Sequence, residues 1–259
     1  MSRKRLDWTL TDSDEVRPYD STRPPGVRAV GRANLRVVYQ PIVQVKTRRT
    51  AAVEVLTRCD MPGFTNPEVL FTEAAAAGYA GRLGRHVREL AFEQAPPRQP
   101  IFVNIHPAEL SARWLVRPDD PMFLHDGDVF LEITEAAAFE HHDLVRAVLA
   151  ELSARGIRLV IDDFGAGYSN LARIADLEPA VVKVDRSLVT DLQKKPRQQT
   201  LLNHLVAMMH SFSATVVVEG VETADELRAV VDTGADFVQG YLLAKPQNPI
   251  PPSAWPPGM

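Results

Sequence analysis

The sequence predicts an α/β protein, a (β/α)₈ TIM-like barrel with an antiparallel first strand. Three observations predict it. Eight strand-like runs follow one another, with helix-like segments between most of them. Nearly every run carries a polar group near its C-terminal end, where barrels build their sites. The connection between the first two runs, roughly "KTRRT", suits a hairpin, because a parallel crossover needs about a dozen residues or more. A doubly wound sheet is the structural competitor.

In chain order the strand-like runs are "RVVYQPIVQV", "TAAVEVLTR", "IFVNIH", "VFLEITE", "RLVIDD", "VVKVD", "ATVVVEG" and "DFVQGYL". They are rich in β-branched residues. "HHDLVRAVLAELSARG" has apolar residues at helical spacing and ends on glycine, and "RQQTLLNHLVAMMHSFS" has the same spacing. "TADELRAVVDTG" opens with a threonine cap and an acidic first turn. Residues 1–33 are polar and charged around "STRPPG" and read as a flexible arm. Residues 34–248 form the barrel domain. Residues 249–259 are proline-rich and read as an irregular tail. No internal repeat is visible.

The chain has 259 residues, 45% hydrophobic and 24% charged, an ordinary globular composition for one large domain. Its formal charge of −4 argues against a partner that is a nucleic-acid polymer, since such binders carry a basic face. An anionic substrate stays open, because bound cations can dominate the local field. The single cysteine, Cys59, cannot form an intrachain disulfide and fits a reducing compartment. No apolar run approaches the roughly 18–20 residues that span a bilayer, and the start lacks an apolar signal core. The expectation is a cytoplasmic protein with no membrane contact.

The polar strand ends are Glu54, Asn104, Glu132, Asp162, Lys183, Glu219 and Gln239. Residues two apart share a strand face. Glu54, Leu56 and Arg58 therefore point together, as do Phe102, Asn104 and His106, Lys183 and Asp185, and Gln239 and Tyr241. Asp162 and Asp163 cannot both point inward from a regular strand. The strand is expected to end between them, with Gly165 and Gly167 allowing the turn that swings Asp163 round. Glu135, three residues past Glu132, is expected beyond its strand as a loop anchor.

Two carboxylates about 4 Å apart repel by roughly 4 kcal/mol at an effective dielectric of 20. Several converging acids do not stay ionised together without cations. An oxygen-rich set with one amide suits hard ions such as Mg²⁺ or Mn²⁺. Asp162 with Asp163 beside it could bridge two ions, the usual arrangement for phosphodiester hydrolysis. Lys183 could orient the attacking water or stabilise the transition state, and Arg58 has the planar fork of a phosphate clamp.

Taken in order, "YQPIV", "EVLTR", "FVNIHPAEL", "LEITE", "IDDFGAGYSNL", "VKVDRSLV", "VVEGVET" and "QGYLLAKP" resemble the EAL-domain cyclic di-GMP phosphodiesterases over roughly residues 35–247. Each motif is weak alone; eight in order are specific. The resemblance implies a barrel with an antiparallel first strand and metal-dependent hydrolysis of cyclic di-GMP to linear pGpG. It implies Glu54, Asn104, Glu132 and Asp162 as ligands of a first Mg²⁺ or Mn²⁺, and Asp162 and Asp163 for a second. It makes Lys183 the residue that positions the water, and Glu219 either a ligand or the general base. Gln40, Leu56, Arg58, Asp185 and Gln239 fall on the substrate side, with Glu222 as a supporting group. Glu135 would anchor the loop Asp163–Asn170, which couples the site to a homodimer interface in the family.

The chain departs from the family at Val55, where the name-giving triplet has alanine. Its parity sends it outside the pocket. Cys59 stands where the family often has an aromatic residue, and His106 replaces a small polar residue and reads as a packing or hydrogen-bonding group. "FTEAAAAG" is a worn form of a family segment, and His141–His142 read as surface. The alternative function is a receptor that binds cyclic di-GMP without cleaving it and signals through protein contacts. A scaffold without ligand, or an enzyme for another dinucleotide, are further alternatives. With no sensory domain in view, regulation falls to a protein partner, the N-terminal arm, expression or dimerisation.

Overall fold

The computed structural model describes residues 26–111, 114–140, 142–167 and 171–258. Eight strands close a barrel in chain order. They are β1 (Leu35–Gln44), β2 (Arg49–Cys59), β3 (Ile101–Asn104), β4 (Val129–Thr134), β5 (Arg158–Phe164), β6 (Val181–Val184), β7 (Thr215–Val218) and β8 (Phe237–Val238). Strand β1 runs antiparallel to both β2 and β8; all other pairs are parallel. The short first connection forces this, since no crossover helix fits into it.

The helices are α1 (Pro67–Ala76), α2 (Ala80–Gln94), α3 (Ala108–Ser111), α4 (Glu135–Glu140), α5 (His142–Ser153), α6 (Leu171–Leu177), α7 (Pro196–Ser211) and α8 (Ala224–Val231). Helix α8 starts as its sequence predicts. Thr223 accepts from the Glu226 N–H, and the Glu226 carboxylate accepts from Thr223 N–H. The same carboxylate accepts from Asp191 N–H, so the cap also ties down the connection between β6 and α7. No helix among the described residues is long and apolar enough to cross a membrane.

The core has two parts, separated by strand parity. Ile42, Ala52, Phe102, Phe130, Val160, Val181 and Val217 fill the barrel interior. The opposite faces, with Val53, Val103, Leu131, Ile161, Val182 and Val218, pack outward with helix residues such as Leu83, Leu149, Val206 and Leu227. Two residues further along each parallel strand or its end, the inner face turns polar: Phe102 is followed by Asn104, Phe130 by Glu132, Val160 by Asp162, Val181 by Lys183 and Val217 by Glu219. Reversed β1 reads the other way, with Gln40 before Ile42, and Gln40 lies opposite Glu54. The barrel is thus a floor of apolar side chains beneath one polar layer.

Val55 is buried in the outer core, as its parity predicts, although it also borders the cleft around Leu56 and Asn104. Val55→Ala, which restores the family triplet, is expected to cost about 1–3 kcal/mol through the cavity it leaves. Its turnover should equal that of the parent chain. Denaturant unfolding beside steady-state assay checks both, and a change in turnover would mean that the cleft wall at Val55 shapes the site.

Two sequence expectations need correction. Strand β5 does not end between Asp162 and Asp163; it continues to Phe164. Its register against β6 shifts between Ile161 and Phe164, and Asp163 adopts φ +56°. The extra residue is a bulge, which re-aims one side chain without ending the pairing. Gly165 has φ +95°, whereas Gly167 has no positive φ. Nor does the N-terminal arm reach residue 33. Val27 and Val30 are buried in the core, the Arg28 guanidinium donates to the Ala77 carbonyl, and the Tyr79 hydroxyl donates to the Val30 carbonyl at 2.8 Å. The two valines in "GVRAV" draw this stretch onto the barrel. Residues 1–25 of the expected arm lie outside the described residues. The tail has no regular element from 249 to 258 but is docked: Ala254 N–H donates to the Leu243 carbonyl at 2.9 Å, and the Arg48 guanidinium lies over the Trp255 ring.

Candidate functional site

Lys183 is the centre of the polar layer and is 1% exposed. Its Nζ lies 2.6 Å from Glu219 Oε1, 2.7 Å from Glu132 Oε1, 3.2 Å from Asp162 Oδ1 and 3.4 Å from Glu54 Oε2. Four carboxylates against one ammonium leave three negative charges uncompensated if all ionise. Glu54 is further fixed by Asn104 Nδ2, donating to Oε1 at 3.0 Å, and Gln239 Nε2, donating to Oε2 at 2.7 Å.

The cluster's titration follows from crowding. Burial pushes Glu132 well above the usual carboxylate range, and the charges of Glu54 and Asp162 add to it. Burial, with Asp162 and Glu54, outweighs the Lys183 charge and pushes Glu219 up to about 8. Partial burial and the neighbouring Asp162 push Asp163 up to about 6. Glu54 goes the other way: burial raises it, but the Lys183 charge and its two amide donors hold it below the usual range. Lys183 loses ion hydration on burial, yet the surrounding carboxylates hold its ammonium well above the ordinary lysine value.

Two clefts open at this end of the barrel. One, of about 280 Å³, is lined by Gln40, Glu54, Asp162, Asp163, Lys183, Glu219, Glu222 and Gln239. The other, of about 340 Å³, is lined by Leu56, Arg58, Phe71, Asn104 and His106 among others. The expected residues therefore fall on both sides of the Glu54–Asn104 hydrogen bond. Glu132 is fully buried and meets the cluster from below, through Lys183. Asp185 lines neither cleft; it caps the 3₁₀ turn Arg186–Leu188 by accepting from Ser187 N–H at 2.9 Å. Glu135 opens α4, and its Oε2 accepts from Gly165 N–H at 3.3 Å, touching the start of the loop after β5. Residues 168–170 of that loop, and His141, lie outside the described residues.

His106 lies past the end of β3, in the turn. Its ring stacks on Phe71 with centroids 6.4 Å apart, and its Nδ1 accepts from Ala108 N–H at 3.2 Å. Arg186 and Tyr241 also line the first cleft, beyond the residues expected at the site. Arg186 directly follows the polar end of β6, and Tyr241 shares parity with Gln239, so position at a strand end was the available signal. Gly220 and Gly240 line it too: a Cβ at Gly220 (φ +70°) would overlap Arg186, and one at Gly240 would overlap the Val221 backbone.

The donor set fits a hard cation. Asp162, Asp163 and Glu219 each bring a carboxylate oxygen within 4.8 Å of the others. Glu132 Oε2 and Gln239 Oε1 are buried and have no hydrogen-bond partner among the described residues. Buried oxygens without donors, in a set of oxygen ligands, are what Mg²⁺ or Mn²⁺ would satisfy.

Comparison with known proteins gives the family. The EAL domain family profile matches residues 27–246. Cyclic di-GMP phosphodiesterase RocR of Pseudomonas aeruginosa is 29% identical over 241 residues, covering 85% of this chain and 59% of RocR. The structure of Klebsiella pneumoniae BlrP1 in a calcium and cyclic di-GMP complex is 30% identical with TM-score 0.73, covering 83% of this chain and 56% of that one. The PaMucR phosphodiesterase in complex with cyclic di-GMP is 27% identical with TM-score 0.74, covering 83% of this chain and 93% of that one. Against curated relatives the chain spans only part of their length, from 27% in a Sinorhizobium fredii protein to 59% in RocR. With a profile match over most of its length and the same closed barrel, the chain belongs to the EAL domain family.

Proposed function

We propose that the chain hydrolyses cyclic di-GMP to linear pGpG with Mg²⁺ or Mn²⁺, two ions per site. The observation that carries this reading is the carboxylate cluster around Lys183, with more acid than one ammonium can neutralise. Glu54, Asn104, Glu132, Asp162, Asp163 and Glu219 would hold the ions. When bound, they supply Lewis-acid charge to the phosphoryl oxygens and lower the pKa of a water.

The chain's own groups do the rest. Lys183, locked among its carboxylates, donates toward the attacking water and fixes its approach. Glu219, 2.6 Å from Lys183 and half-buried at the cleft, is the group placed to take that water's proton if it is not itself a ligand. Arg58, across the Glu54–Asn104 bond, presents a fork suited to a phosphate. Gln40, Leu56 and Gln239 contact the remainder of the dinucleotide, Glu222 shapes the mouth, and Asp185 acts through the turn that carries Arg186 into the cleft. Glu135 steadies the loop after β5, and through it a homodimer. The water oxygen forms the new P–O bond, the bond from phosphorus to the bridging ribose oxygen breaks, that oxygen takes up a proton to become a hydroxyl, and one phosphodiester opens. Hydrolysis in ¹⁸O-labelled water tests this: one ¹⁸O in the terminal phosphate of pGpG is expected, and a linear product without label would overturn it.

A pH dependence follows. Carboxyls raised to about 8 at Glu219 and about 6 at Asp163 hold their protons until the pH passes those values. Ligation needs them deprotonated. Mn²⁺ affinity should therefore increase as pH rises from 6 to 8, with protons released on binding. Calorimetry in buffers of different ionisation enthalpy measures both, and a pH-independent affinity would remove Glu219 and Asp163 as ligands.

A further inference from the structure

A second buried ion cluster lies beside the site. Arg88 on α2 is 1% exposed, and Glu109 and Asp120 are fully buried. Arg88 Nη1 donates to Glu109 Oε2 at 2.6 Å, while Nη2 and Nε donate to Asp120 Oδ2 at 2.9 and 3.0 Å. Helix α2 is shaped to receive these groups. A Cβ at Gly84 would overlap the Glu109 carboxylate, and one at Gly81 would overlap the Trp114 ring. Gly81, Gly84 and Arg88 follow at helical spacing, so one face of α2 cradles the connection that leaves β3.

Net stability does not account for this cluster. The desolvation of buried ions commonly offsets their attraction, and apolar residues of similar volume do as well or better. What the cluster adds is a fixed geometry, and the second Glu109 oxygen identifies its object. Glu109 Oε1 accepts from the His106 backbone N–H at 3.0 Å. Two residues earlier stands Asn104, which donates to Glu54, and the His106 ring stacks on Phe71 in the second cleft.

We infer that Arg88 is a positioning residue: through Glu109 it fixes the turn after β3, and with it the Asn104 amide at Glu54 and the His106–Phe71 wall. The inference rests on the reading of Asn104 as part of a metal site. Asp120 completes the charge and also accepts from Met122 N–H at 3.2 Å.

The test uses the full chain carrying Arg88→Met, Glu109→Leu and Asp120→Asn together. This variant removes the ions, retains an acceptor for Met122 and deletes the acceptor for His106 N–H. Three quantities are read: melting temperature, the Asn104 side-chain amide resonances in ¹⁵N-asparagine-labelled protein, and Mn²⁺ affinity by calorimetry. A folded variant is expected to show shifted Asn104 resonances and Mn²⁺ binding about 10–100-fold weaker, the range for outer partners of metal ligands. A folded variant with both unchanged overturns the proposal, since a purely structural cluster predicts that result. If the triple variant does not fold, Arg88→Lys, which keeps the charge and loses the fork, is held to the same two readouts. Parent protein that binds Mn²⁺ without cleaving cyclic di-GMP overturns the hydrolase reading while these readouts still decide the role of Arg88. If the parent binds no Mn²⁺, the Asn104 resonances decide alone.

Discussion

Lys183→Ala is expected to lower kcat by about 10²–10⁴-fold, the range for a positioned proton-handling group, with cyclic di-GMP binding retained. It is also expected to destabilise the metal-free protein. Four carboxylates lie within 3.4 Å of the Lys183 ammonium, and removing it leaves them facing one another in the barrel. Breaking a buried ion pair from one side costs about 3–5 kcal/mol. Divalent ions replace the lost charge, so the variant's melting temperature should rise on adding Mn²⁺ by more than the parent's does. Paired thermal melts and single-turnover assays check this. Full activity would remove the water-positioning role, and an unaltered melting temperature would mean that the acids are not held by Lys183.

Glu54→Ala has the other large effect. Glu54 collects Asn104 from one cleft and Gln239 from the other, and faces Lys183 between them. Its loss removes a proposed ligand and frees three side chains at once. Hydrolysis should fall below about 1% of the parent, beyond the 10–100-fold that partners of ligands cost. Glu54→Gln separates shape from charge: it preserves the side-chain volume, so loss of Mn²⁺ affinity in that variant reports the missing charge. Unchanged turnover in Glu54→Ala would make the metal assignment wrong.

Much of this is legible in the sequence. Alternation of apolar and polar residues along eight short strands places one polar residue of each above the barrel floor, and a barrel is the fold that gathers all eight. The antiparallel start is legible because so short a connection, four residues between β1 and β2, leaves no other geometry. Val55 was readable for the same reason of parity. The bulge at Asp163 was not, because two adjacent acids are equally compatible with a strand end and with an inserted residue; the pairing of Phe164 with Val184 decides it. The docking of Val27 and Val30 is hidden because two valines three apart in a polar stretch are too few to mark a buried face. Parity puts Asp185 on the face of Lys183 but says nothing of a turn that begins one residue later, where Asp185 caps Arg186–Leu188. The Arg88 cluster was invisible since its partners lie 21 and 32 residues away, and no local pattern encodes such pairings.

The measurement that bears most directly on the central claim is turnover of cyclic di-GMP by the purified chain, with pGpG followed by chromatography in Mg²⁺, in Mn²⁺ and with chelator. The account predicts pGpG with either metal and none with chelator. Tight binding of cyclic di-GMP with no product under either metal would contradict it and make the chain a receptor, its carboxylate cluster serving to hold the ligand.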